Sequence, residues 1–222
     1  MKSSLRRKTS NHWNWVAALL PILGTFLPAA RGADQQVWLM QGAETMLNAS
    51  WKAGANQEFR LADNTGELGA YLAETFASCK LAPHWDAGLA YRQQYSKSSD
   101  DDWREENRPY AYATLKWKWG RHSFSDRNMV EYRRIESQDD PIRYRNKLGV
   151  EFDSHWTAWE VRPYLADEIF AGAQSDNFLK NRIYAGLKGH PADWLASDVY
   201  AMWESTDTGL GQRSNLFVTG LK

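Results

Sequence analysis

From residue 36 onward the chain is ordered by an alternation of polar and apolar side chains with a period of two, the spacing of a strand with two unlike faces rather than the 3.6 spacing of a helix. In 143–153, Arg143, Arg145, Lys147, Gly149, Glu151 and Asp153 share one face; Tyr144, Asn146, Leu148, Val150 and Phe152 share the other. In 159–169, Trp159, Val161, Pro163, Leu165 and Ile169 oppose Glu160, Arg162, Tyr164 and Glu168, with Asp167 breaking the apolar side. In 179–188, Leu179, Ile183, Ala185 and Leu187 oppose Lys180, Arg182, Tyr184 and Lys188, and in 197–204, Val199, Ala201 and Trp203 oppose Asp198, Tyr200 and Glu204. The segments 85–95 and 109–119 read the same way, with Trp85, Ala87, Leu89 and Tyr91, then Ala111, Ala113, Leu115, Trp117 and Trp119, on their apolar faces.

The pattern predicts strands at about 37–47, 51–62, 66–77, 85–95, 108–119, 122–135, 143–153, 158–170, 179–188, 196–205 and 213–222. Connections alternate in length: short near 79–84, 120–122, 154–157 and 190–195, longer and polar at 96–107 (SKSSDDDWREEN), 137–142, 171–178 and 207–213. Short turns at one end and long loops at the other are the plan of a transmembrane barrel. Trp85, Trp117, Trp119, Trp156, Trp159 and Trp194 lie by the short turns, as an interfacial aromatic girdle would. The expected fold is therefore all-β: an antiparallel up-and-down transmembrane β-barrel of ten or twelve strands, the even number of bacterial single-chain barrels. The first of the eleven segments is then a lead-in, or one further strand escapes the pattern. A soluble barrel or sandwich with the apolar face inward is the competing architecture.

Residues 1–33 lie outside this pattern. Arg6, Arg7 and Lys8 precede an apolar stretch, Val16–Leu27, interrupted by Pro21 and Gly24; small residues Ala29, Ala30, Gly32 and Ala33 follow. This is the layout of a secretory signal peptide cut after Gly32 or Ala33, leaving 34–222 as a single barrel domain. The full chain balances 27 Lys+Arg against 27 Asp+Glu. Cleavage removes Lys2, Arg6, Arg7, Lys8 and Arg31 and no acid, leaving 22 against 27 and a formal charge of −5. That sign argues against nucleic acid as a partner. Cys79 alone cannot form an internal disulfide, and no apolar run reaches the roughly 18–20 residues of a spanning helix.

DRNMVEYRR (126–134), RYRNKLGVEF (143–152), RPYLADEIF (162–170) and NRIYAGL (181–187), with YRQQYS (91–96) and ENRPY (106–110) upstream, closely resemble the family known as domain of unknown function 2490. The resemblance implies an outer-membrane barrel of unassigned activity and brings no catalytic residues. The ending LFVTGLK departs from the closing aromatic residue usual in such barrels, although Phe217 stands near it.

The polar faces bring one candidate site together: Arg127, Glu131, Arg133, Arg143, Arg145, Glu151, Arg162, Glu168 and Arg182, all directed to the lumen if the apolar faces meet lipid. Such a set forms either a selective pore or anion site, or a plug in which buried charges compensate one another. No serine–histidine pair suited to nucleophilic catalysis stands out. His84, His122, His155 and His190 recur with the hairpin repeat at predicted short turns, so the expected metal and cofactor complement is none. Asp100–Asp102, Asp139 and Asp140 read as solvated loop charge; Asp167, beside Glu168, reads as marking the strand's emergence at the outer interface. The functional expectation is a monomeric outer-membrane barrel in contact with lipid, structural or a narrow charge-lined pore open to an unidentified small solute. A barrel enzyme acting on lipid or envelope glycan and a soluble periplasmic barrel with a small apolar ligand are the alternatives.

Overall fold

The computed structural model describes residues 34–62, 66–98, 100–136, 141–154, 159–172, 178–207 and 213–222. The expected signal peptide, His155, Trp156, Asp139 and Asp140 lie outside them. The strands are β1 (Asp34–Met46), β2 (Trp51–Ala62), β3 (Glu67–Ala82), β4 (Trp85–Lys97), β5 (Trp103–Trp119), β6 (His122–Tyr132), β7 (Arg134–Ile135), β8 (Ile142–Glu151), β9 (Arg162–Gly172), β10 (Phe178–Ala192), β11 (Leu195–Asp207) and β12 (Arg213–Leu221). The two residues of β7 continue β6 along β5 beyond the irregularity at Arg133. With β7 set aside, so that β6 pairs directly with β8, each strand pairs antiparallel with the next in sequence, and β1 pairs with β12 to close the sheet.

The wall therefore has eleven strands, which corrects the expected ten or twelve. Each of the eleven predicted segments is a wall strand, and the first is no lead-in. An odd count makes the first and last strands run the same way, so β1 and β12 meet in a parallel ladder from Asp34↔Leu216 to Leu39↔Leu221. A parallel ladder satisfies backbone groups too, at slightly lower stability per residue, so evenness is not a physical requirement for closure. Below that ladder β1 runs on from Met40 to Met46, paired with β2 alone among the described strands.

Following paired residues once around the wall returns to β1 displaced by about 14 residues. With strands ~4.8 Å apart and a rise of ~3.3 Å per residue, that stagger sets a tilt of roughly 40° and a backbone radius of roughly 11 Å. Side chains can fill a tube that narrow.

The connections at one end are 47–50, 83–84, 120–121 and 193–194, with 152–161 longer than expected because β9 starts only at Arg162. Local chemistry makes the tight ones. Asn48 accepts hydrogen bonds on Oδ1 from the backbone N–H of Ser50 and Trp51, both 2.9 Å, and Gly120 takes φ +59° in the β5–β6 turn. β10 continues through Pro191, in what the sequence reading took for a turn, because a register shift between Gly189 and Ala192 absorbs the proline. At the other end β5 reaches back to Trp103, so part of the predicted 96–107 loop is strand.

The faces fall as the alternation predicts. Leu89, Val130, Leu148, Leu165, Ile183 and Leu187 are exposed on the outside, while Glu58, Glu106, Glu131, Glu168 and Glu204 are buried inside. Trp51, Trp85, Trp119, Trp159 and Trp194 are exposed around the short-turn end, and Trp117 stacks on Phe124 there with ring centroids 5.4 Å apart.

The inside also holds rings that the alternation did not reveal as a set. Gly54, Gly88, Gly186 and Gly220 are the direct cross-strand partners of Phe76, Tyr112, Tyr164 and Tyr200. In each case the partner ring fills the space a Cβ would need, at 2.6, 2.5, 2.6 and 2.0 Å. The ring lies over its glycine, so a small residue on one strand admits a large one on the next without overfilling the tube. Trp38, Tyr164, Ala166, Tyr184, Met202 and Val218 pack as one buried cluster, and Ala90, Tyr110 and Met129 as another.

Candidate functional site

Between these rings runs a network of ion pairs, built by register. Glu131 on β6 is the direct partner of Arg143 on β8, and Glu168 on β9 that of Arg182 on β10, which in turn faces Glu204 on β11. Glu131 has no solvent exposure. It accepts a hydrogen bond from Arg143 Nε at 2.6 Å and from Arg145 Nη1 at 2.7 Å, with Arg108 Nη1 3.8 Å away. Arg145 spans two carboxylates, donating its Nη2 to Glu168 at 2.5 Å. Glu168 also accepts from the Tyr184 hydroxyl at 2.7 Å and lies 3.7 Å from Arg182. Arg182 Nε and Lys180 Nζ donate to the two oxygens of Glu204 at 2.6 and 2.8 Å. Glu106 receives Arg108 and Arg133, each at 2.7 Å.

On the opposite wall Glu58 holds Arg60 at 2.6 Å and Glu74 holds Arg92 at 2.5 Å. Aromatic faces take up the remaining cationic surface. Arg145 and Arg182 stand 4.7 and 4.8 Å from the Phe170 ring, and Arg60 stands 3.7 Å from that of Trp38. Such pairs are tolerable away from water because each carboxylate meets at least one guanidinium in hydrogen-bonding geometry.

Of the nine predicted residues, Glu131, Arg133, Arg143, Arg145, Glu168 and Arg182 belong to this network. Glu151 and Arg162 do not join it. They lie at the short-turn end, where Glu151 pairs with Lys188 and Arg162 with Glu160, all partly exposed. Arg127 faces inward without a carboxylate partner among the described residues and lies 3.9 Å from the Tyr112 ring. Sequence reading missed Glu58, Arg60, Glu74, Arg92, Glu106, Arg108, Lys147, Lys180 and Glu204 as site members, although their inward parity was available for most of them.

At the long-loop end the lumen opens into a vestibule of about 490 Å³ lined by Gln36, Arg60, Glu67, Gln94, Lys97 and Asp101, among others. Lys97 bridges Glu67 and Asp101 at 3.1 and 2.7 Å. Arg60 and the Trp38 ring beneath it lie at its inner side.

The outer wall carries an exception to its apolar character. Asp167 falls in the middle of β9, paired with Leu148 and Ile183, and it faces outward, so it does not mark the strand's emergence. It accepts a hydrogen bond from Asn181. Nearby, Asn146 donates to Asp126 at 2.5 Å and to Asn128 at 3.1 Å. His84 lies in the β3–β4 turn, His122 against Phe152, and His190 on β10. Among the described residues no group of three or more His, Cys, Asp or Glu is placed to hold a metal ion.

Comparison with known proteins adds the following. No curated protein matches the chain. A solved structure, the beta domain of the Bordetella autotransporter Brka, is similar at 13% identity with a TM-score of 0.42, covering 80% of this chain and 86% of that one. A family model described as "Protein of unknown function (DUF2490)" matches residues 35–215, the span that carries β1 from its second residue, β2 to β11 whole, and the start of β12. The chain belongs to that family.

Proposed function

We propose that this protein is a monomeric outer-membrane β-barrel without enzymatic activity, whose lumen is closed by its own ion pairs and rings, so that it serves the envelope as a structural element. The observation that carries this reading is the inverted polarity of the wall. Leu89 and Leu148 are 67% and 47% exposed on the outside, whereas Glu131 and Glu168 are 0% and 3% exposed within. In water that arrangement forfeits roughly 1.5–3 kcal/mol for each large apolar side chain left uncovered, and it gains little from surface pairs. In a bilayer the same outer face is at home, and the ion pairs are shielded inside. Membrane lipid is then the partner of the outer face, and the Trp side chains at the short-turn end lie at one headgroup layer.

The network and the rings of Trp38, Phe170 and Tyr184 cross the middle of the lumen, which supports a plug over an open pore. The vestibule at the long-loop end favours a second reading, a narrow charge-lined pore. Fractionation tests the location: the protein should pellet with membranes, need detergent for release, and migrate faster on gels before heating than after. Release by salt or shear alone would support the soluble alternative. Planar-bilayer recording tests the plug, with no steady conductance steps expected. Turnover of lipid or envelope glycan by the purified barrel would replace this reading with the enzymatic one.

A further inference from the structure

At one place on the inner wall, register sets two cations against each other with no carboxylate in direct ion-pair contact among the described residues. Arg127 on β6 and Lys147 on β8 are direct cross-strand partners, and like charges directly opposite destabilise a sheet. Arg92 and Arg108 form a second pair of this kind, but Glu74 and Glu106 neutralise them. Lys147 faces Glu168 across β8–β9, yet that carboxylate is already engaged by Arg145 and Tyr184. Among the described residues no carboxylate lies within ion-pair distance of Arg127 or Lys147. Their charged heads rest on rings, Arg127 on Tyr112 at 3.9 Å and Lys147 on Tyr184 at 3.7 Å. Arg127 Nε is buried with no hydrogen-bond partner.

A second, independent observation is that the wall beside this pair carries only small side chains. The next inward row toward the short-turn end is Ser125, Gly149 and Ala166. Where rings cover Gly54, Gly88, Gly186 and Gly220, a Cβ on Gly149 would meet Ser125 Oγ at 3.3 Å and Ala166 Cβ at 3.7 Å, with no ring among its three nearest atoms. Small residues thus stand next to two cations that have no direct ion-pair partner, Glu168 and Asp198 acting on Lys147 and Glu74 on Arg127 only at longer range.

We propose that Arg127 and Lys147 form a binding site for a small oxyanion of the phosphate type within the lumen. The guanidinium supplies a planar fork of donors and the ammonium a point charge, and the Ser125 hydroxyl is a neutral donor in the next row. An oxyanion satisfies the free Nε and separates the like charges, which a spherical halide does only through charge. The site requires binding and not passage, so it stands whether or not the barrel conducts.

The test is a titration of the folded barrel in detergent micelles with inorganic phosphate at constant ionic strength, read by calorimetry and compared with chloride. Saturable phosphate binding is expected, weakened about tenfold or more in Arg127→Gln and in Lys147→Gln. Lys188→Gln, which removes a lumen charge already paired with Glu151, should change it less than about twofold. Phosphate binding no better than chloride, or loss as large in Lys188→Gln as in the site variants, overturns the proposal. If the site variants do not fold, the wild-type protein still decides. Phosphate should slow phenylglyoxal modification of Arg127, mapped by peptide mass, and leave the exposed Arg121 unaffected; equal rates with and without phosphate would refute the site. Conductance of the same preparation reads the plug separately, so failure of one does not decide the other.

Discussion

Replacing Glu131 by glutamine should be among the most damaging single changes to the lumen, and the pairing pattern sets its size. Of the three arginines around this buried carboxylate, Arg145 keeps Glu168 and Arg108 keeps Glu106 when it is neutralised. Arg143 loses the only carboxylate it reaches among the described residues, while remaining 8% exposed. The amide that replaces the carboxylate keeps one accepting oxygen but no charge, and turns its NH2 toward arginine donors. The cost is that of leaving one buried ion unpaired, about 3–5 kcal/mol. Removing the stranded charge as well, in Glu131→Gln with Arg143→Met, should restore stability to within about 1–2 kcal/mol of wild type, because a methionine fills similar volume without a charge to solvate. The assay is urea-titrated unfolding in lipid vesicles, followed by tryptophan fluorescence and by the heat-dependent gel shift. A single-variant cost below about 1 kcal/mol would mean that water reaches Arg143. A double variant whose cost equals the sum of its parts would refute the pairing argument itself.

The outer face yields further predictions. Leu148→Arg, in the middle of β8 and 47% exposed, should cost about 2–4 kcal/mol in vesicles, whereas Val150→Arg, one residue before the strand ends, should cost about 0–1 kcal/mol. Equal costs would place the apolar band elsewhere. Asp167→Leu should raise the urea midpoint, since it removes an outward carboxylate flanked by Leu148 and Ile183; a lower midpoint would mean that something other than hydrocarbon covers this face. Gly88→Ala should cost about 1–3 kcal/mol by displacing the Tyr112 ring, against about 0.5 kcal/mol or less for Gly149→Ala, with both read from the same unfolding curves. Glu151→Gln should cost no more than about 1 kcal/mol, because both Glu151 and Lys188 are more than a third exposed.

Much of this architecture was legible in the sequence because a strand's two faces are written in its own residues. Arg143, Arg145 and Lys147 alternate with Tyr144, Asn146 and Leu148 wherever the strand is placed, so inside and outside could be assigned for most of the wall before any neighbour was known. What alternation leaves unwritten is which residue stands opposite which. That Glu131 is held by Arg143 and Arg145, that Tyr112 lies over Gly88, and that Arg127 meets Lys147 all depend on register, which the intervening turns and loops set. The extra reach of β10 through Pro191 and of β5 back to Trp103 shows how uncertain those lengths are from composition alone.

The misjudged strand count has the same origin. Every hairpin announces itself locally, but closure is a contact between the two segments farthest apart in the chain, and no local signal separates an antiparallel seam from a parallel one. The residues of that seam do carry a consequence. Val218 and Trp38, which face Gln36 and Gly220 directly across it, are 0% and 4% exposed. The weaker parallel ladder is thus backed from within by Val218, Trp38 and Met202 of the largest buried cluster. Packing against the seam therefore adds to the six paired positions along it in holding an odd-numbered wall shut.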